Sequence, residues 1–211
     1  MEADPRAAPV EPITFAGGVL DRYRHVCSFV NGGPESDAVL DPFISQGIDR
    51  DDRLLYVVSP EETAAPVNRI RRLGYDAGDL MHRHRCEVHT WNDTYLRTGG
   101  FDPQDTFDLL DHLLLDPAAP QTRMMCDMGW AADRDGVAEQ LIQFEARANF
   151  IHARHRHVVI CSYDASLFDG GFIVDVLRTH PMVVVGGMLQ ENPFFVDPAA
   201  FLEERARLAA S

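Results

Sequence analysis

The sequence contains no lysine, because all 19 residues counted as lysine plus arginine are arginines. A chain without lysine cannot form a Schiff base, use a lysine as general base, or hold a nucleotide phosphate through a P-loop lysine. Its fixed positive charge lies entirely on planar guanidinium groups, which pair in a fork with carboxylates and phosphates. The sequence therefore excludes the lysine-dependent enzymes and the standard P-loop nucleotidases.

Other features that the sequence lacks further restrict the possible classes of protein. No apolar run approaches the roughly 18 residues of a membrane helix, and the first residues, MEADPRAAPVEP, lack the apolar core of a secretory signal. The net charge of −14 disfavours binding to nucleic acid and to anionic membranes, which both require a basic surface. We therefore expect a cytoplasmic protein that contacts neither, with its four cysteines as free thiols.

The alternation of apolar segments predicts one α/β domain over residues 13–211, preceded by a mobile tail at residues 1–12. We expect strands at residues 25–30, 53–58, 85–90, 123–127, 158–162 and 182–185. Helices are expected at residues 35–47, 60–73, 102–117, 135–154, 171–179 and 197–210. Residues 13–24 read as a short helix or turn, and residues 76–80 as a loop. This order predicts a three-layer, mostly parallel sheet flanked by helices on both faces.

The central feature of the predicted sheet is HVVICSYD, residues 157–164. Its short apolar run is typical of a strand buried on both faces. Cys161 and Tyr163 follow near its carboxyl end, Asp127 and Trp130 follow strand 123–127, and strand 25–30 carries His25 and Cys27 on one face. Because ligands of open α/β sheets bind at the carboxyl ends of strands, these groups are the predicted site.

A series of motifs resembles the MEDS family of sensory domains across residues 25–201. It consists, in chain order, of HVCSFV, RLLYVV, YLRTGGF, DMGW, FEARAN, CSYD, THP and NPF. The resemblance implies a sensory module of prokaryotic signalling proteins linked to one-carbon and hydrocarbon compounds. It also implies that Glu145 and Asn149, one helical turn apart, belong to the family signature and face the end of the sheet. From helical spacing alone, Glu145 is offset from the apolar stripe, which predicts a surface salt bridge instead.

The order of elements also resembles a RecA/KaiC-type nucleotide-binding core. In that family the first turn is a P-loop, GxxxxGK[ST], whereas here it reads NGGPESD at residues 31–37. The second glycine, the lysine and the hydroxyl residue are missing, and Glu35 and Asp37 would face a triphosphate. The chain has no HExxH, GxGxxG, CxxC or nucleophile-elbow motif either. We therefore predict a protein that is not an enzyme.

The predicted function is a non-enzymatic sensor that binds a small, hydrocarbon-derived molecule and acts through a partner protein or a homo-oligomer. The candidate ligand-binding residues are His25, Cys27, Phe29, Glu35, Asp127, Trp130, Glu145, Cys161, Tyr163 and His180. One alternative is a KaiC-like nucleotide-binding ATPase. Another is a metal- or haem-binding redox sensor that uses His25, Cys27 and Cys161, and a third reading makes these groups ordinary core residues. The sequence leaves the cofactor and the metal open.

The RecA resemblance makes one prediction about topology. It places the strand at residues 158–162 between those at 25–30 and 123–127. With matched registers, Cys27 and Cys161 would then lie on adjacent strands, about 4.8 Å apart.

Overall fold

A computed structural model describes residues 12–29, 33–114, 119–132, 134, 136–152 and 157–210. Most of the predicted tail (residues 1–11) and part of the glycine-rich turn (residues 30–32) lie outside these ranges. The prediction of a mobile tail is therefore not tested.

The described residues form a seven-stranded sheet and a separate two-stranded hairpin. The hairpin consists of β1 (Ile13–Phe15) and β2 (Gly18–Leu20). The sheet consists of β3 (His25–Phe29), β4 (Arg53–Val58), β5 (Cys86–Thr90), β6 (Thr122–Asp127), β7 (His157–Ser162), β8 (Met182–Val185) and β9 (Met188–Glu191). Its order is β5-β4-β6-β7-β3-β8-β9, and only the β8–β9 pair is antiparallel.

The helices are α1 (Gly33–Asp49), α2 (Ala64–Arg72), α3 (Ala77–His82), α4 (Pro103–Leu114), α5 (Val137–His152), α6 (Gly170–Thr179) and α7 (Pro198–Ala209). One apolar core joins one face of the sheet to α4, α5, α6 and α7. A second core joins the other face to α1, α2, α3 and the hairpin. The predicted three-layer, mostly parallel α/β fold is confirmed.

The predicted position of the central strand is also confirmed. β7 lies between β3 and β6, and its Val158 and Ile160 side chains are completely buried. Cys161 is in register with Cys27 on one side and with Cys126 on the other. Three thiols therefore form a row across the middle of the sheet, on the face that α5 covers.

The prediction of a helix or turn at residues 13–24 is wrong, because β1 and β2 form a hairpin there. Ala16 and Gly17 both have positive φ angles, as a tight hairpin turn requires. The hairpin packs against β9, where a Cβ atom on Gly18 would lie 2.4 Å from the carbonyl oxygen of Leu189. Only glycine allows this close approach.

Two local predictions about helices are also wrong. Residues 76–80 are not a loop: Asp76 accepts hydrogen bonds from the backbone N–H groups of Gly78 and Asp79 and so begins α3. The helix predicted from residue 60 is instead a short 3₁₀ turn, Pro60–Glu62, followed by α2. The Ser59 side chain makes no capping hydrogen bond.

Arg123 joins the sheet to α1 through a fully buried side chain. Its guanidinium donates to the Asp52 carboxylate at 2.7 Å, to the Phe43 carbonyl at 2.7 Å and to the Gln46 amide oxygen at 3.1 Å. Gly47, predicted to end the helix, lies inside α1. A Cβ atom there would be 2.8 Å from Arg123 Cδ, so this glycine makes room for the arginine.

Candidate functional site

Four polar side chains converge beneath α5, near the centre of the sheet. They are His25 at the start of β3, Cys161 on β7, Glu145 on α5, and His180 between α6 and β8. Each is at most 3% exposed. One donor atom from each lies within 4.8 Å of the donor atoms of the others. We call these four residues the buried cluster.

Glu145 is the centre of the buried cluster. Its Oε2 atom lies 3.2 Å from His25 Nε2 and 3.6 Å from His180 Nε2, and its Oε1 atom accepts a 2.9 Å hydrogen bond from the Tyr163 hydroxyl. Burial acts to raise the pKa of Glu145, but the hydrogen bond and charge interaction with His25 and the hydrogen bond from Tyr163 outweigh it. The pKa is therefore lowered, and the carboxylate is ionised at neutral pH.

The histidine rings are oriented by their other nitrogen atoms. The Asn149 amide nitrogen donates to the carbonyls of Glu145, Ala146 and Thr179, so its oxygen faces His25 Nδ1 at 3.2 Å and accepts from it. His180 Nδ1 donates to the Val176 carbonyl at 2.8 Å. Burial, together with the nearby His25, lowers the pKa of His180 to about 3, which keeps this ring neutral. Both Nε2 atoms consequently face Glu145.

The row of thiols adjoins the buried cluster. Cys161 Sγ lies 3.7 Å from His25 Nε2, whereas Cys27 donates to the Met182 carbonyl at 3.7 Å. A hydrogen bond with Cys126, followed by burial, raises the pKa of Cys161, and burial raises the pKa of Cys27. These thiols are protonated at neutral pH, so they are not reactive thiolates in this state.

An aromatic group extends the site towards the carboxyl ends of the strands. Trp130 stacks on Tyr95 with ring centroids 4.9 Å apart and contacts Phe101 at the same separation. The indole nitrogen of Trp130 is buried and has no hydrogen-bond partner among the described residues. Phe29 lies near Tyr163, with ring centroids 6.1 Å apart. The buried cluster and these rings form one continuous patch under α5.

Two cavities meet at His25. A void of about 10 Å³ touches the buried cluster and has His25, Glu145 and Cys161 in its wall. A groove of about 500 Å³ opens at the amino-terminal edge of the central strands and is lined in part by His25 and Asn149. This edge is opposite the strand ends at which the sequence predicts ligand binding. His25 therefore separates a small internal void from a space of small-molecule size.

The predicted site residues divide into groups in the structure. The buried cluster brings together four of them: His25, Glu145, Cys161 and His180. Tyr163 donates a hydrogen bond to this cluster, and Cys27 lies in the adjacent row of thiols. Phe29 and Trp130 lie among the aromatic rings. Asp127 lies apart at the end of β6, where it accepts a hydrogen bond from Gly129 N at 2.9 Å. The side chain of Glu35 lies outside the described residues. The surface salt bridge predicted for Glu145 from helical spacing is wrong, because this side chain is buried.

Sequence reasoning did not identify Tyr95 and His152, which also line the internal void. His152 Nδ1 lies 2.6 Å from His157 Nε2, and the His152 ring lies 4.5 Å from that of His25. Tyr95 is the first residue of the YLRTGGF segment, whereas no motif marks His152. The position of His152 depends on how the end of α5 packs over the sheet, which residue spacing does not reveal.

Asp127 provides a test of pH dependence. Burial, followed by the charges of Glu62 and Asp164, raises the pKa of Asp127, so ionisation at this position opposes folding. We expect Asp127→Asn, which keeps the acceptor for Gly129, to raise the melting temperature at pH 7 by a few degrees at most. The native state binds this proton more tightly than the unfolded chain does, so the advantage should shrink as the pH falls through the raised pKa.

Thermal melts at pH 7 and pH 4 check this expectation, with Asp93→Asn as the control. Hydrogen bonds from Thr90 lower the pKa of Asp93, so Asp93→Asn should lower the melting temperature at pH 7. An Asp127→Asn protein clearly less stable than the wild type at pH 7 would contradict the prediction.

A mostly parallel sheet covered by helices on both faces, with a buried polar cluster beneath one helix, defines the class of this chain as a three-layer α/β domain. The family model described as the methanogen/methylotroph, DcmR sensory domain, MEDS, matches residues 24–181. The chain belongs to the MEDS family, and its role is that of a sensory domain in signalling. A comparison with curated proteins gives no significant match. Among the described helices, none combines the length and apolar character that spanning a bilayer requires.

Proposed function

We propose that the chain is a non-enzymatic sensor in which a small molecule acts on the buried cluster and the adjoining aromatic rings. The observation that carries this proposal is the direct contact between His25, which lines the groove, and Glu145, which belongs to α5. A molecule in the groove would touch Asn149, which belongs to α5, and His25, which contacts α5 through Glu145. We also propose that the other candidate residues from the sequence, including Trp130 and Asp127, contribute to ligand binding.

The dimensions and polarity of the groove support a small organic ligand. Its volume of about 500 Å³ is in the range of roughly 300–1,000 Å³ typical of small-molecule sites. Aromatic walls from Tyr23, Phe150 and Phe195 combine there with polar and charged groups, which are His25, Asn149, Arg22, Arg24 and Asp197. A site with both apolar walls and hydrogen-bonding groups suits a short alcohol or a related compound.

The packing of α5 supplies a route for the signal. α5 contacts α6 and α7. Arg205 of α7 pairs with Glu139 of α5 and with Asp175 of α6, the latter at 3.0 Å. A displacement of α5 at Glu145 would therefore move α7. We propose α7, together with residues 1–12, as the surface that contacts a partner protein or a second copy, and residues 13–211 as one domain.

The ligand class can be tested with linear alcohols from methanol to hexanol, since the family description links these domains to methylotrophs. We expect at least one alcohol to raise the melting temperature of the wild type, by roughly 2–4 °C if it adds about 1 kcal/mol. His25→Gln should lose this shift. His112→Gln, on the exposed face of α4, is the matched control and should keep it.

Two results would contradict the proposal. One is an identical shift in His25→Gln and the wild type, which would place binding elsewhere. The other is tight magnesium-dependent ATP binding by calorimetry, which would favour the KaiC-like nucleotide-binding alternative. Native mass spectrometry of the protein as purified would identify a ligand that copurifies.

A further inference from the structure

We infer that His25, Glu145, Cys161 and His180 form a four-ligand site for a divalent transition-metal ion of the zinc class. The proposed small molecule also acts on the buried cluster. The idea that the metal takes part in sensing therefore rests on the proposed function. Metal binding itself is tested without that molecule.

The spacing of the donor atoms matches a metal site. Bonds of about 2.0–2.3 Å to nitrogen, oxygen and sulfur place tetrahedral ligands roughly 3.3–3.8 Å from one another. In the cluster, Glu145 Oε2 lies 3.2 Å and 3.6 Å from the two histidine nitrogens, and Cys161 Sγ lies 3.7 Å from His25 Nε2. All four donor atoms are within 4.8 Å of one another. Small rotamer adjustments would therefore complete the tetrahedron.

The two histidines are oriented as metal ligands. A ligating imidazole normally donates its other ring N–H to a carbonyl or carboxylate, which fixes its tautomer. Here His25 Nδ1 donates to the Asn149 amide oxygen and His180 Nδ1 donates to the Val176 carbonyl. His180 Nε2 is buried and has no hydrogen-bond partner within the part of the chain that the structure describes. This unpartnered nitrogen points at the centre of the cluster.

A hydrogen bond from a neighbouring side chain also orients Glu145. The Tyr163 hydroxyl donates to Oε1, which leaves Oε2 directed at the two ring nitrogens. Ligating carboxylates are commonly fixed by such a second hydrogen bond. A bound cation would also neutralise a carboxylate that is only 1% exposed.

The chemistry of the four ligand atoms and the size of the void indicate which ion the site would bind. Two imidazoles, one thiolate and one carboxylate suit zinc or cobalt, whereas magnesium and calcium prefer oxygen ligands. A void of about 10 Å³ lies beside the cluster and is lined by His25, Glu145 and Cys161 but not by His180. It has room for a water molecule or an ion and is far too small for haem. Binding converts the Cys161 thiol to a thiolate and takes the place of the proton that His25 Nε2 donates to Glu145. Both protons leave as the metal–sulfur and metal–nitrogen bonds form. His25 lines both the void and the groove, so an ion would reach the cluster from the groove when the His25 side chain moves.

The inference is tested by adding cobalt chloride to the full chain after treatment with a chelator. We expect one Co²⁺ per chain, with the intense visible bands of tetrahedral cobalt and a thiolate charge-transfer band, and displacement by zinc chloride. Cys161→Ser should lose the charge-transfer band, and His180→Gln should weaken binding at least about tenfold. Cys86→Ser, which removes a buried thiol on β5 outside the cluster, should match the wild type.

The absence of saturable cobalt binding by the wild type would overturn the inference, as would unchanged spectra in Cys161→Ser and His180→Gln. Circular dichroism shows whether each variant is folded. If Cys161→Ser is not, Glu145→Gln decides: loss of one-to-one binding supports the site, and retention overturns it. Alcohol shifts measured on the metal-free protein separate failure of this inference from failure of the proposed function.

Discussion

Replacing Arg123 with methionine is expected to lower the free energy of unfolding by about 3–5 kcal/mol, the usual cost of removing one partner from a buried ion pair. The change leaves the Asp52 carboxylate, which is 3% exposed, without the guanidinium that donates to it. It also removes the hydrogen bonds that Arg123 donates to the Phe43 carbonyl and the Gln46 amide oxygen. Urea denaturation of the two proteins measures the difference. Arg72→Met removes an exposed arginine paired with acidic side chains and should cost at most about 1 kcal/mol.

A double-mutant cycle tests whether the loss of stability in Arg123→Met comes from the buried charge of Asp52. Burial raises the pKa of Asp52 and lowers the pKa of Arg123, so desolvation opposes both charges despite their contact. In an Arg123→Met/Asp52→Asn protein, both charges of this buried pair are removed. The double variant should therefore lose less stability than the sum of the two single variants. Strictly additive losses would show that the pair is not coupled.

Replacing Trp130 with alanine is expected to cost about 3–5 kcal/mol, as for other large aromatic side chains in a core. The ring is 3% exposed and lies between Tyr95 and Phe101, so its removal opens a cavity that the neighbouring rings fill only in part. Trp130→Phe should cost much less, because the indole N–H makes no hydrogen bond to the described residues that could be lost. Urea denaturation followed by circular dichroism measures each value.

The chain contains two tryptophans, and the other one is the matched control. Trp91 is partly exposed, and its indole N–H donates to the Asp127 carbonyl at 2.9 Å. Trp91→Ala removes a hydrogen bond and a smaller amount of buried surface, so it should cost less than Trp130→Ala. The reverse order would contradict the view that Trp130 anchors the aromatic group under α5.

The main strands and the central position of β7 could be predicted because each is a short apolar segment with a clear boundary. The run at residues 158–161 has no polar break, which is typical of a strand covered on both faces. The hairpin was missed because its strands have three residues each, too few for a period of two to be visible. α3 was missed for a similar reason: only six residues long, it depends on the Asp76 cap rather than on an apolar stripe.

The site was less predictable than the sheet. Alternation along β3 placed His25 and Cys27 on one face, and the order of the strands placed Cys161 beside them. The contact of Glu145 with His180 depends on the rotation of α5 over the sheet and on the turn before β8. Neither is set by the spacing of residues along the chain. The resemblance to MEDS domains, rather than helical periodicity, indicated the role of Glu145.

The position of β7 also determines when the sheet can be completed during synthesis. β3 ends at Phe29, but its neighbour β7 begins only at His157, 128 residues later, and β6 also needs β7 as its partner. At about 5–20 residues per second, a ribosome needs roughly 6–26 s to cover this interval. Until then both edges of β3 lack their native partners, because β8 is made later still, and one edge of β6 lacks its partner. Such open edges promote aggregation. A nascent chain of this protein is therefore expected to be a stronger chaperone substrate before residue 162 leaves the ribosome than after it.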